Sequence, residues 1–506
     1  MVAAYLGADI TGDLTEAHRL IENAEQGPGG SPAGALAAAA LMTNRGGDID
    51  TIHRLLVGAI KGVRDPSDPR DRTLIEALYV LQAACAFGSR PGLAEEYFTA
   101  LEHLDPEPPE FLVLLGSSFV EPARRAASTL TQLEAAIAGI REQTDHAYVV
   151  RIGIASIYTD RVVGCRAALE HVLTHGRAGG AITSAIEAFV VLGYDCLMTG
   201  EWDLAQRMTT EGLELAARDG YTILSGLLHF QQAYIAAARG EYNTAKALSD
   251  NIVRWAAPNR IGLLTHYAAH TRALAELGRG DYEAAYHHAL TVCHPGTVPT
   301  HAPHALWVIL ELVEAAVRAG RSDDAARHVA EILDANVAAI SPRLALVTAS
   351  AQAMVAPPER YRDLFDMALA VPDADRWPFQ QARIQLAYAE RLRRAKATTE
   401  ARRHLATALD TFDRLQAAPW ATRARTELRA TGQPANPPPA SVGALTPQQR
   451  EIALLAASGL TNKQIGERLY LSPRTVGTHL YQVFPKLGVT SRAALRDALN
   501  PRTTPE

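Results

Sequence analysis

An all-α protein in two parts is predicted from three observations: a turn signature that returns every 40 residues, a proline-rich break after residue 430, and a basic tail patterned as short helices. The turn signature is Gly-x-x-x-x-Ala. It stands at Gly200–Ala205, Gly240–Ala245, Gly280–Ala285 and Gly320–Ala325, with starts 40 residues apart. Gly12–Ala17 fits the same pattern, and Gly47–Ile52 is a looser copy. Similar breaks fall near Arg90-Pro91, Arg161, Pro357-Pro358 and Ala397.

Each unit reads as a helical hairpin. Before the glycine the apolar residues follow a helical period: Leu263, Tyr267, Leu274 and Leu277 stay on one side. The glycine ends that helix because it tolerates left-handed backbone angles. An acid and then an aromatic follow, as in Glu241-Tyr242 and Asp281-Tyr282, putting negative charge at the positive end of the second helix. The small alanine lets the two helices approach. Each hairpin leaves apolar surface bare unless the next one covers it, so the hairpins must stack.

At these residues the chain resembles the tetratricopeptide family of helical repeats. Gly280, Tyr282 and Ala285 stand where that family has its turn glycine, aromatic and small packing residue. The unit is about six residues longer than the usual 34. In that departure it is similar to the superhelical sensor region of the large LuxR-type ATP-binding regulators. The resemblance implies a tetratricopeptide-like sensor or interaction region over residues 1–430. Residues 431–444 are a linker, since Pro434, Pro437, Pro438 and Pro439 forbid helix and favour a stiff extended segment.

The tail, residues 445–506, reads as four helices. The first starts at a Thr446 cap with Pro447 behind it and runs to Ser458, closed by Gly459. The second spans Asn462–Leu469, with small Gly466 at the helix crossing. Ser472-Pro473 restart the chain, and the third helix runs to Lys486, ended by Gly488. The fourth spans Arg492–Leu499, capped by Ser491. The third helix has two faces: Val476, Leu480, Val483 and Leu487 point one way, and Arg474, Gly477, Thr478 and Tyr481 the other. A guanidinium, a hydroxyl and a phenol, with a glycine allowing close approach, suit base edges in a major groove.

The whole string is similar to the LuxR-type DNA-binding domain. It runs from Leu445-Thr-Pro-Gln-Gln-Arg-Glu-Ile through Gly459-Leu-Thr-Asn-Lys-Gln-Ile and Ser472-Pro-Arg-Thr-Val-Gly-Thr-His to Lys486-Leu-Gly-Val-Thr-Ser-Arg. The resemblance implies a sequence-specific transcription regulator of double-stranded DNA, acting as a homodimer. It implies that Lys463 and His479 approach phosphates and that Arg474, Thr475, Thr478 and Tyr481 lie on the DNA side. Gly477 and Gln482 complete the candidate DNA-binding set. Glu451 is implied to be a buried or capping acid, and Arg492 to open a last helix that supplies dimer contacts. Pro485 departs from a regular helix by removing a backbone bond to Tyr481, and a bend is expected there.

Charge divides the same way as pattern. Eight Lys/Arg against four acids give the tail +4, leaving −10 on the first 444 residues. A basic module on an acidic body meets phosphate with one end only. The recognition face itself holds few cations, so its affinity for phosphate is expected to be modest and dimerisation to strengthen it. No P-loop, GxSxG, HExxH or kinase motif occurs, and an enzyme is not expected. The large regulators carry an ATPase ahead of the superhelix; here either nucleotide is dispensed with or the reading frame begins late.

No signal peptide, membrane-length apolar run or cofactor motif is evident, and the four scattered cysteines suit a reducing cytoplasm. Cys85, Cys165 and Cys196 read as buried small hydrophobes. Histidines crowd residues 266–304. His266 and His270, one turn apart and flanking Tyr267, are candidates for lining an effector pocket, since neutral imidazoles both donate and accept. No metal is assigned there. The effector is a small molecule, a peptide or a protein. The competing reading is a repeat-based scaffold whose tail contacts RNA polymerase rather than promoter DNA.

Overall fold

The computed structural model describes residues 31–432, 445, 447–469, 471–486, 489, 492, 495 and 499. Among the described residues the regular structure is entirely helical, as predicted. The chain divides into two compact units between Ala424 and Arg425. Gly12–Ala17, Thr446, Leu487, Gly488, Ser491, residues 433–444 of the linker and most of the fourth tail helix lie outside the described residues.

In the first unit the repeated signature becomes one turn geometry. Gly200, Gly240, Gly280 and Gly320 have φ of 78°, 85°, 83° and 76°, the left-handed region a side chain resists. The N–H groups of Glu201, Glu241, Asp281 and Arg321 then reach back to the carbonyls of Cys196, Ala236, Glu276 and Ala316 at 2.9, 2.8, 3.0 and 2.8 Å. That bond uses a carbonyl the helix end leaves without an intrahelical partner. The turns join Ile182–Met198 to Trp202–Asp219, Thr222–Arg239 to Tyr242–Ala256, Gly262–Arg279 to Tyr282–Leu290, and Ile309–Arg318 to Ser322–Asp334. Ala205, Ala245, Ala285 and Ala325 are buried, and so are Leu263, Tyr267, Leu274 and Leu277.

The same turn recurs where the sequence has no glycine. Lys396 and Gln416 take φ of 63° and 59°. The following N–H groups, of Ala397 and Ala417, bond Leu392 and Phe412 carbonyls at 2.9 and 2.8 Å. These turns separate Pro378–Arg394, Thr398–Arg414 and Ala418–Ala430.

Hairpins distant in sequence also touch, so the central repeats are covered from both directions. The Ile49 N–H donates to the Asn259 carbonyl at 3.1 Å. A Cβ on Gly262 would stand 2.5 Å from the Gly88 carbonyl oxygen. On the other side, Trp202 meets Phe379 edge-on with ring centroids 5.2 Å apart, and Arg343 donates to Asp160 at 2.7 Å.

The interior this encloses is aromatic and then ionic. Phe230 stacks on Tyr267 at 4.2 Å, and Tyr158 and Tyr194 pack edge-on against Trp307. Beyond them Arg383 bonds Glu311 and Glu314, Arg423 bonds Glu314 and Glu390, and Arg318 pairs with Glu314 and Glu390. Alternating signs let Glu314 and Glu390 each meet more than one guanidinium, while Glu311 meets Arg383 and the His270 imidazole, the pairing that buried charge requires. Cys85, Cys165, Cys196 and Cys293 are all buried.

In the second unit Pro447–Ala457, Asn462–Leu469 and Pro473–Lys486 enclose a core of Ile452, Ala453, Ala456, Ile465, Val476, Leu480, Val483 and Leu495. Val476, Leu480 and Val483 are the described members of the predicted inward face. The third helix continues over Pro485 to Lys486.

Candidate nucleic-acid interface

Local chemistry fixes each helix of the second unit. Gly459, at φ 95°, ends the first. Thr461 and Gln464 open the second reciprocally: Gln464 Oε1 accepts the Thr461 N–H at 2.9 Å, and Thr461 Oγ1 accepts the Gln464 N–H at 3.4 Å. Ser472 Oγ accepts the Thr475 N–H at 3.0 Å and opens the third. Between them the Leu471 N–H donates to the Gly466 carbonyl at 2.8 Å.

At ~100° per residue, Arg474, Thr478 and Tyr481 fall within about 60° of one another, opposite Val476, Leu480 and Val483. All three are exposed, Tyr481 to 80%. Thr478 Oγ1 donates to the Arg474 carbonyl at 3.1 Å, which leaves the hydroxyl oxygen's lone pairs turned outward. This face therefore offers a forked cation, an acceptor and an aromatic ring on a rigid helix whose other side is buried.

The remaining candidates sit on its flanks, and several have work within the unit. Thr475 is half-buried, its hydroxyl 2.7 Å from Ser472 Oγ at the helix start. Gln482 is exposed, but its amide oxygen accepts from Gln449 Nε2 at 3.2 Å. His479 is half-buried, with Nδ1 enclosed and without a hydrogen-bond partner. Lys463 is exposed in the first turn of the second helix. Gly477 is half-buried, and a Cβ there would lie 3.5 Å from Asn462 Nδ2, an ordinary contact, so packing does not demand glycine.

Other placements differ from what the resemblance implies or were not foreseen. Glu451 is exposed. Arg492 donates to Asn462 Oδ1 at 2.7 Å and to the Leu460 carbonyl, bracing the start of the second helix. The Thr461–Gln464 box was legible as Thr-x-x-Gln before a helix. The Arg492 brace joins segments thirty residues apart and has no local signature.

In the first unit the three effector candidates part company. Tyr267 lines a partly open pocket of about 90 Å³, with Ile154, Tyr194, Leu224 and Leu227 beside it and Gln82 and Thr183 among its polar walls. His266 instead lies 3.3 Å from Ser89 Oγ, and burial, with His301 adding, pushes it down to about 4. His270 Nδ1 is 2.8 Å from His304 Nε2, and its Nε2 is 3.3 Å from Glu311. Neither histidine is part of the pocket wall. One helical turn does put them on one side, but residues 89 and 304 fold over that side and take up the imidazoles.

Residues 443–498 match the family described as Bacterial regulatory proteins, luxR family. The HTH-type transcriptional regulator Rv0890c of Mycobacterium tuberculosis (strain ATCC 25618 / H37Rv) is 49% identical over 63 residues, 12% of this chain and 7% of that protein. The HTH-type transcriptional regulator Mb0914c of Mycobacterium bovis is likewise 49% identical over 63 residues, with the same shares of 12% and 7%. The transcriptional regulatory protein LiaR of Bacillus subtilis (strain 168) is 46% identical over 48 residues, 10% of this chain and 23% of LiaR. The match thus spans less than a tenth of the mycobacterial relatives and is confined to one end of this chain. With the turn, caps and two-faced third helix described above, residues 443–498 are a LuxR-family helix-turn-helix domain.

Proposed function

We propose that this protein is a transcription regulator in which residues 445–506 read double-stranded DNA and residues 1–430, tetratricopeptide-like repeats joined through the linker at 431–444, sense an effector that controls the reading. The observation that carries the first half is the two-sided third helix: three core residues on one face, and Arg474, Thr478 and Tyr481 exposed on the other. Laid in the major groove, Arg474 forks onto guanine, while Thr478 and Tyr481 meet neighbouring base edges and thymine methyls. Lys463, Thr475 and His479 lie nearer the phosphates, and Gly477 and Gln482 border the contact. Phosphate contacts set position and base contacts set sequence.

So few cations on that face favour a homodimer reading two half-sites about one helical turn apart. The mostly apolar pocket walled by Tyr267 is the candidate effector site; at about 90 Å³ it must widen to take a ligand, since ordinary ligand pockets hold about 300–1,000 Å³. A cytoplasmic, non-enzymatic protein fits this role.

Genome-wide mapping of bound DNA tests the reading. Discrete sites sharing one motif, lost in Arg474→Ala, are expected. Occupancy that follows RNA polymerase, carries no motif and survives Arg474→Ala would favour a scaffold whose tail contacts the polymerase.

A further inference from the structure

A cluster of three histidines in the first unit shares no residue with its aromatic interior. His171 and His175 are one turn apart on the helix Arg166–Arg177, and His146 is the first residue of the helix His146–Ala155. One ligand atom from each can be chosen so that all lie within 4.8 Å of one another. The rings crowd: centroids are 4.7 Å apart for His146 and His175, 4.6 Å for His171 and His175, and 6.0 Å for His146 and His171.

Both helices are held where the cluster needs them. The Asp145 carboxylate accepts the Ala147 and Tyr148 N–H groups at 3.0 and 3.4 Å, fixing the helix start that carries His146. Gly176 seats the other helix against its neighbour, since a Cβ there would come within 2.3 Å of Ala185 Cβ. His171 and His175 are exposed and His146 half-buried, so an ion reaches the cluster from solvent.

We infer that His146, His171 and His175 form a site for a zinc-like divalent cation that bridges the two helices. Neutral imidazoles suit zinc and its later first-row neighbours rather than magnesium or calcium. Zinc–nitrogen bonds of about 2.0–2.1 Å put tetrahedral ligand atoms ~3.4 Å apart, so closing from 4.8 Å takes about 1.4 Å of side-chain movement. The remaining coordination position faces water. With two ligands from one helix and one from the other, occupancy would tie the two helices together.

The test is titration of the metal-stripped full chain with zinc chloride alone, followed by calorimetry, metal analysis and thermal unfolding. One equivalent is expected to bind and to raise Tm by about 2–4 °C, reversed by chelator. His171→Ala/His175→Ala, at two exposed positions, should abolish that equivalent. His146→Ala should weaken it at least about tenfold, since even outer-shell changes cost that much. His287→Ala/His288→Ala should leave it intact. Absence of binding, full retention in either ligand variant, or equal loss in the His287/His288 control would overturn the inference.

Discussion

Gly466 has no Cβ because the Leu471 carbonyl occupies its place: a Cβ there would stand 2.4 Å from that oxygen. The N–H of Leu471 meanwhile bonds the Gly466 carbonyl, so the second helix and the turn into the third are locked together. Gly466→Ala is expected to cost about 1–3 kcal/mol by overpacking and to weaken binding to every DNA sequence alike. Gly477→Ala, with only an ordinary contact to Asn462, should be neutral or gain up to about 1 kcal/mol of helix propensity. Hydrogen exchange of residues 447–486 in the full chain reads both.

The outward face separates choice of sequence from strength of binding. Tyr481→Ala or Thr478→Ala should change the preferred bases at one or two positions, at about 1–3 kcal/mol per lost contact. Lys463→Ala should weaken all sequences similarly and reduce the salt slope by about one. Affinities across a mutated operator series, at several salt concentrations, make the distinction.

Arg492 reads as a brace rather than a subunit contact, because its guanidinium is spent on Asn462 and the Leu460 carbonyl. Arg492→Ala should destabilise the helix-turn-helix by about 1–3 kcal/mol, as loss of charged hydrogen bonds does. The monomer–dimer equilibrium, measured by sedimentation, should not shift. A dimer-specific defect without loss of stability would contradict the assignment.

In the body, Glu311 is the test of the buried ionic cluster. Burial would raise its carboxyl, but Arg383 and His270 outweigh that and hold it at about 2 instead of 4.5. A depressed carboxylate stabilises the fold above its unfolded pKa and loses that contribution as pH falls through the folded one. Glu311→Gln, which leaves Arg383 only the Glu314 carboxylate, should therefore cost about 1.5–3 kcal/mol at pH 7. The gap to the parent should narrow as pH falls from 4.5 toward 2. Urea unfolding across that range measures it.

Glycine made the hairpins legible at Gly200, Gly240, Gly280 and Gly320, because a left-handed helix end nearly requires it. Lys396 and Gln416 make the same turn at a cost borne by the surrounding packing, so the signature fades although the geometry persists. The inward residues of the third tail helix were equally legible, since Val476, Leu480 and Val483 follow one helical period. What periodicity hides is which helices return to cover others. His266 and His270 share a side of one helix, yet only the fold brings Ser89 and His304 onto it. The His146–His171–His175 group is likewise a product of tertiary packing, with one member on a different helix.

The central claim, that Arg474, Thr478 and Tyr481 read bases, is tested most directly by selecting DNA from a random library with the full chain and with each alanine variant. The parent should enrich one motif, and Thr478→Ala and Tyr481→Ala should relax it at defined, different positions. A parent that enriches no motif, or variants that enrich the parent's motif unchanged and with equal affinity, would contradict the account.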